Sequence, residues 1–200
     1  MKILIATNNA HKLKEYRQIF AGLPLEVTWP EKEGLTLEPD ETGATFAENA
    51  ALKARAFARA GGLLTLADDS GLEVDALDKE PGVYSARYGG TAKDDHRGRY
   101  QLVLKQLAAL NLPDRARTAR FKCVIAIARP QGPVELVEGT VEGLIARAPA
   151  GTGGFGYDPI FWLPELNCTM AQLDPATKNS ISHRGRAAQA AIPLLKTLTG

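Results

Sequence analysis

Leu63-Leu64-Thr65-Leu66-Ala67-Asp68-Asp69-Ser70-Gly71 decides how this chain is read. An apolar run stops at two adjacent carboxylates, then a hydroxyl, then a glycine. The run predicts a buried strand, and Gly71 predicts a turn that ends it. Two like charges side by side cost energy unless something positive faces them. A metal ion, alone or carried by a substrate, would supply that charge. The plainer alternative is an Asp-rich turn that caps the next element. The stretch alone leaves both open.

Upstream, Thr45-Phe46-Ala47-Glu48 has the reciprocal capping pattern, and an Ala-rich helix is predicted from there to Ala60, stopped by Gly61-Gly62. Its Lys53, Arg55 and Arg59 read as a solvated face. Before it, Asp40-Glu41-Thr42-Gly43 forms a second acidic turn. At the start, residues 2–6 predict a short central strand. The polar loop Thr7-Asn8-Asn9-Ala10-His11-Lys12 follows, then a helix with Leu13, Tyr16, Ile19 and Phe20 at helical spacing. Lys12 falls in that helix's first turn, where the dipole prefers anions. A bound phosphate would resolve the mismatch; a solvated surface lysine is the alternative. Residues 25–29 alternate like a half-buried strand.

Downstream, residues 72–76 predict a separate short strand. Residues 81–90 form a Gly- and aromatic-rich loop. In it, either Ser85 and Arg87 face a ligand, or Tyr84 and Tyr88 pack into the core. A helix is predicted over 94–110. Residues 120–128 are the clearest strand, and 134–140 and 141–146 predict two more. The stretch from Pro149 to Pro159 sets four glycines among Phe155, Tyr157 and Asp158. Glycines let backbone N–H groups approach a ligand, Phe155 offers a face for stacking on a base, and Asp158 offers an acceptor. A tight turn between elements is the alternative. A short strand over 160–163 and one or two helical turns holding Lys178 precede Ser182-His183-Arg184, which opens the last helix. Pro193 is expected to kink or restart that helix.

Composition bounds the class. The 200 residues are 44% hydrophobic and 24% charged, which suits one globular domain, 1–200, with two lobes. A net charge of +1 gives no bulk attraction to nucleic acid or an anionic membrane. The opening residues turn polar too soon for a signal peptide, and no apolar run approaches the ~20 residues of a membrane span. Cys123 and Cys168 stand far apart, as expected of a reduced, cytoplasmic protein.

Three separated acids, Glu41, Asp68 and Asp69, offer oxygen ligands for a hard divalent ion. Lys12, Lys178 and Arg184 offer charge to a polyphosphate. With a stacking ring and glycines for a base, these groups describe a metal-dependent enzyme acting on a nucleotide.

The motifs from Thr7-Asn8-Asn9 through Glu41-Thr42-Gly43-Ala44-Thr45-Phe46, Ala67-Asp68-Asp69-Ser70-Gly71, Pro81-Gly82-Val83-Tyr84-Ser85-Ala86-Arg87, Gly151-Thr152-Gly153-Gly154-Phe155-Gly156-Tyr157-Asp158-Pro159 and Ser182-His183-Arg184-Gly185 resemble the inosine triphosphate pyrophosphatase family. The likeness is greatest to its bacterial dITP/XTP pyrophosphatases. It runs from residue 7 to 185. It implies an α/β fold with a central mixed β-sheet, flanking helices and two lobes around an active-site cleft. It also implies a homodimer, Mg²⁺ dependence, and hydrolysis of non-standard purine nucleoside triphosphates to the monophosphate and pyrophosphate. Carried over by position, Asp69 is the general base and lies near Mg²⁺. Glu41 helps bind Mg²⁺, with Asp68 as a partner. Thr7, Asn8, Asn9, Ala10, His11, Lys12 and Ser70 hold phosphates and sugar. Phe155, Gly156, Tyr157 and Asp158, with Lys178, His183 and Arg184, enclose and read the base. Asn8 stands where many relatives have Gly, and Tyr157 where some have Trp. The alternatives are a Maf-type pyrophosphatase acting on other nucleotides and a nucleotide-binding module without catalysis.

Overall fold

A computed structural model describes residues 1–92 and 94–199. The first strand, β1, is Lys2–Ile5, and helix α1 follows at Ala10–Ile19. Strand β2 is Glu26–Thr28. Helix α2, Phe46–Gly61, begins with the expected reciprocal cap: Thr45 accepts from the Glu48 backbone, and Glu48 reaches back to the Thr45 backbone. Gly62, in the left-handed region, ends it. The other elements are β3 (Leu64–Val74), α3 (His96–Ala109), β4 (Thr118–Ala128), β5 (Val134–Ile145), β6 (Phe161–Leu163), β7 (Cys168–Thr169), α4 (Pro175–Ile181) and α5 (His183–Thr199).

The strands form one sheet in the order β2-β1-β3-β4-β5-β6-β7. β1 pairs in parallel with both β2 and β3, while β6 is antiparallel to β5 and β7. The sheet is therefore mixed and the fold is α/β, as expected. Contacts divide the chain into two compact units. One comprises Met1–Asp69, Cys123–Gly139 and α5; the other comprises Ser70–Lys122 and Thr140–Ser182. The first is built on Ile3, Ile5, Tyr16, Leu66, Ile125, Ile127 and Ala187. The second is built on Leu72, Val103, Leu107, Val141 and Phe161, with the Phe121 and Phe161 rings 4.4 Å apart.

Two expectations are corrected. Gly71 makes no turn: β3 runs unbroken through Asp68, Asp69, Ser70 and Gly71 to Val74. The difference has a physical cause. Every residue from Leu64 to Asp69 is buried, so no polar alternation marks the strand, and its acids are met by distant side chains rather than by a turn, Asp68 by Lys12 and Arg184 and Asp69 by the Asn49 amide. The two strands expected over 134–146 are one, β5. Gly139 lies inside it because the backbone of α5 crosses there: a Cβ would meet the His183 carbonyl oxygen at 2.3 Å. Of the two outcomes expected at Pro193, a kink or a restart, the restart does not occur, since helix α5 continues through it. In the loop over 81–90 the two tyrosines part, Tyr88 buried and Tyr84 exposed. Among the described residues, no helix is long and apolar enough to cross a membrane.

Candidate active site

Adjacent residues of a strand point to opposite faces, and Asp68 and Asp69 use this. Asp68 Oδ2 accepts from Lys12 Nζ at 2.9 Å, from Arg184 Nη2 at 3.3 Å and from the Cys123 thiol at 3.8 Å. Arg184 also reaches Glu15 Oε2 at 2.7 Å through Nη1. Lys12 and Glu15 are one turn apart on α1, and Arg184 opens α5, so β3, α1 and α5 meet at one buried oxygen. Burial alone would raise the Asp68 carboxyl. The Lys12 ammonium and Arg184 guanidinium outweigh it and hold the group well below the usual carboxylate range. Burial, with the Asp68 charge adding to it, pushes the Cys123 thiol up to about 12, so it stays a protonated donor. The charge of Lys12 at a helix N-terminus is thus met by a carboxylate of the protein itself.

Asp69 faces the other way. Its Oδ2 accepts from Asn49 Nδ2 at 3.1 Å, and Asn49 Oδ1 accepts from the Gly43 backbone N–H at 2.8 Å. One buried amide of α2 therefore ties Asp69 to the loop that carries Glu41. Burial raises the Asp69 carboxyl; Lys53 and Lys12 work against that, Glu41 adds to it, and the net shift is upward. Lys53 Nζ lies 2.7 Å from Glu41 Oε1, and its side chain is only 13% exposed. It is no part of a solvated face, unlike Arg55 and Arg59, which are exposed. Burial would lower the Lys53 ammonium, but Asp68, Asp69 and Glu41 together raise it. The signal was present in the spacing: Phe46, Asn49, Ala50, Lys53, Ala54 and Phe57 repeat at three and four along the buried stripe of α2.

Among the described residues, no three His, Cys, Asp or Glu side chains are gathered as one metal-ligand group. Asp68 suits a metal ion poorly, because Lys12 and Arg184 already crowd its oxygen with positive charge. Glu41 also has an ammonium on it, Lys53 Nζ 2.7 Å from Oε1, but Asp68 Oδ2 has two cations on one oxygen, and Asp69 accepts from the neutral Asn49 amide, so Glu41 and Asp69 fit better. They are hard oxygen donors, the Glu41 charge is felt at Asp69, and Mg²⁺ commonly takes one or two carboxylates and completes its shell with water and substrate oxygens.

In the first loop, Asn9 caps α1, its Oδ1 accepting from the His11 and Lys12 backbone N–H groups at 2.9 and 3.2 Å. Thr7 Oγ1 accepts from the Asn9 N–H. Asn8, Ala10 and His11 are exposed. Those helix donors are satisfied within the loop, which leaves the Lys12 side chain as its principal cation. His183, buried, is the first residue of α5 and belongs with Arg184 to the unit of Lys12 and Asp68.

The second unit holds Ser70, Phe155, Gly156, Tyr157, Asp158 and Lys178. Asp158 Oδ2 accepts from the Phe155 N–H at 2.8 Å and from Lys178 Nζ at 2.7 Å. Lys178 Nζ also lies 4.9 Å from the centre of the Phe155 ring. Gly154 permits this, since a Cβ there would meet Asp158 Oδ2 at 2.0 Å and its φ is +68°. Asp158 is buried and shapes the loop. Tyr157 is core, its hydroxyl donating to the Ser85 carbonyl at 2.9 Å, so it supports the loop from below. Ser85 Oγ accepts from the Leu72 N–H and donates to the Gly82 carbonyl. His96, which sequence reasoning passed over, brings its ring to 6.3 Å from Phe155 and receives Arg99 Nη2 on Nδ1 at 2.6 Å.

A sequence model described as the Ham1 family matches residues 3–194. The chain belongs to the Ham1 family. Its Ham1 relatives include the dITP/XTP pyrophosphatase of Desulforamulus reducens, 50% identical over 200 residues, covering 99% of this chain and 97% of that protein. The dITP/XTP pyrophosphatase of Listeria monocytogenes serovar 1/2a is 51% identical over 186 residues, covering 93% and 90%. Among solved Ham1 structures, the HAM1 protein from Coxiella burnetii superposes with a TM-score of 0.88 at 41% identity, covering 98% of this chain and 99% of that one.

Proposed function

We infer that this chain is a nucleoside triphosphate pyrophosphatase that hydrolyses dITP, XTP and related non-standard purine nucleotides to the monophosphate and pyrophosphate. One observation carries the reading: Ham1 relatives half identical over nearly the whole chain bear that activity in their names. The site chemistry supports it. Asp69 is a buried carboxylate with raised proton affinity, suited to accept the proton of a water attacking the α-phosphorus. Lys12, Lys53 and Arg184 bring three cations to the same unit, where developing phosphate charge needs neutralising. Glu41 and Asp69 would hold Mg²⁺, which when bound supplies further neutralisation of the phosphate oxygens.

Phe155, with Lys178 and Asp158 behind it, is assigned to the base. Hypoxanthine and xanthine carry a 6-keto group and an N1–H. A site offering a matching donor and acceptor leaves the adenine amino group mispaired, and unpaired buried polar groups give large discrimination. Unpaired Cys123 and Cys168 accord with a reducing, cytoplasmic setting, and the working form is proposed as a homodimer. The test is Asp69→Asn with dITP and Mg²⁺. Retained nucleotide binding with pyrophosphate release lowered roughly 10²–10⁴-fold supports a general base; unchanged release removes Asp69 from that role. A wild-type protein that binds dITP but releases no pyrophosphate is a binding module.

A further inference from the structure

We propose that Asp68 is a positioning residue that holds Lys12 and Arg184 in register for a polyphosphate, and is not a metal ligand; the inference rests on the pyrophosphatase reading above. Three donors converge on the one oxygen Oδ2: Lys12 Nζ at 2.9 Å, Arg184 Nη2 at 3.3 Å and the Cys123 thiol at 3.8 Å. The carboxylate is 2% exposed, and the side chains of Arg184 and Lys12 are 2% and 16% exposed. A divalent ion on Oδ2 would stand against two positive charges, one buried and one mostly so, and reaching it would mean displacing one of them. Neither cation is held by its own element alone. Lys12 sits in the first turn of α1, where the helix dipole repels it, and Arg184 sits in the first turn of α5, where the same holds. Asp68 reverses both penalties at once, and Glu15 fixes the second arm of the guanidinium at 2.7 Å.

The cost of this arrangement is instructive. A fixed negative charge beside an anion site opposes binding of the anion in the ground state. Such a group is expected where placing the cations matters more than their total charge, because catalysis depends on geometry held before the substrate arrives. Asp68 therefore acts through Lys12 and Arg184, and removing its charge should separate binding from turnover. A metal ligand gives a different signature, because its loss weakens the metal.

The experiment compares wild type, Asp68→Asn and Glu41→Gln. Mn²⁺ affinity is measured by electron paramagnetic resonance with and without inorganic pyrophosphate, pyrophosphate affinity by calorimetry, and kcat and KM with dITP. The expected result for Asp68→Asn is Mn²⁺ affinity within about twofold of wild type, pyrophosphate bound at least as tightly, and kcat lower by roughly 10–100-fold. Glu41→Gln is expected to weaken Mn²⁺ by roughly tenfold or more. A comparable loss of Mn²⁺ affinity in Asp68→Asn, or an unchanged kcat, overturns the proposal. If Asp68→Asn does not fold, the double variant Asp68→Asn/Lys12→Gln removes a charge pair together, and its Mn²⁺ affinity decides between the same two outcomes. If Mn²⁺ binds no variant, the metal assignment to Glu41 and Asp69 has failed, and the split between kcat and pyrophosphate affinity still decides the role of Asp68.

Discussion

Asn49 and Asp69 share a buried hydrogen bond, with Asn49 Nδ2 donating to Asp69 Oδ2 at 3.1 Å. Because Asn49 Oδ1 also receives the Gly43 N–H, this amide fixes the proposed base and the Glu41 loop relative to one another. Asn49→Ala should leave a backbone donor and a carboxylate without their partner, at a cost of about 1–3 kcal/mol. The expected outcome is a lower Tm and a fall in kcat with dITP. Equal Tm and kcat in the variant would show that the amide positions nothing.

Lys53 stands among three acids, and its charge is the protein's own counterweight to them. Lys53→Met should lower kcat/KM for dITP by roughly tenfold or more, since preorganised charge in a water-poor site is worth far more than at the surface. Arg55→Gln, on the exposed side of the same helix, should change neither activity nor stability. Similar effects of the two substitutions would contradict the buried-cation account of Lys53.

The fold is legible in the sequence where chemistry is local. The Thr45–Glu48 cap and the Gly62 stop of α2 lie within a few residues of what they satisfy, and both stand where expected. It is not legible where partners come from afar. Asp68 read as either a turn residue or a metal ligand because its partners Lys12, Cys123 and Arg184 lie up to 116 residues away. Lys53 reads as solvated by its charge, but the helical phase of Phe46, Asn49, Ala50 and Ala54 turns it to the buried stripe. The loop over 151–159 was legible as a special segment, yet not the internal use of its acid: Asp158 binds the loop's own Phe155 N–H and Lys178.

Phe155 is held by Lys178 and Asp158 so that one ring is fixed in a polar setting. Phe155→Ala should raise KM for dITP with a smaller change in kcat, because stacking on a base is worth about 1–3 kcal/mol. Steady-state kinetics on the pair of enzymes checks this. A KM equal to that of wild type would take Phe155 out of base recognition.

Away from these groups, Asp75 is gripped by Arg120 through two hydrogen bonds of 3.0 Å, by Thr118 at 2.6 Å and by Lys79. The hydrogen bond from Arg120, with those from Lys79 and Thr118, holds its carboxyl well below the usual range. A folded-state pKa below the unfolded value of roughly 3.9 stabilises the native form above about pH 4, and that stabilisation is lost as pH falls towards the folded value. Asp75 is half-buried, so solvent screens the effect. Asp75→Asn should therefore lower Tm by roughly 2–4 °C near neutrality, with the gap closing below about pH 4. A gap that stays constant or widens in acid contradicts this.

The most direct test of the account is a substrate panel with Mg²⁺, in which pyrophosphate release is measured for dITP, XTP, dATP, dTTP and UTP. The account predicts kcat/KM highest for dITP and XTP, with dATP, dTTP and UTP far behind. A preference for dTTP or UTP would contradict it and favour a Maf-type activity.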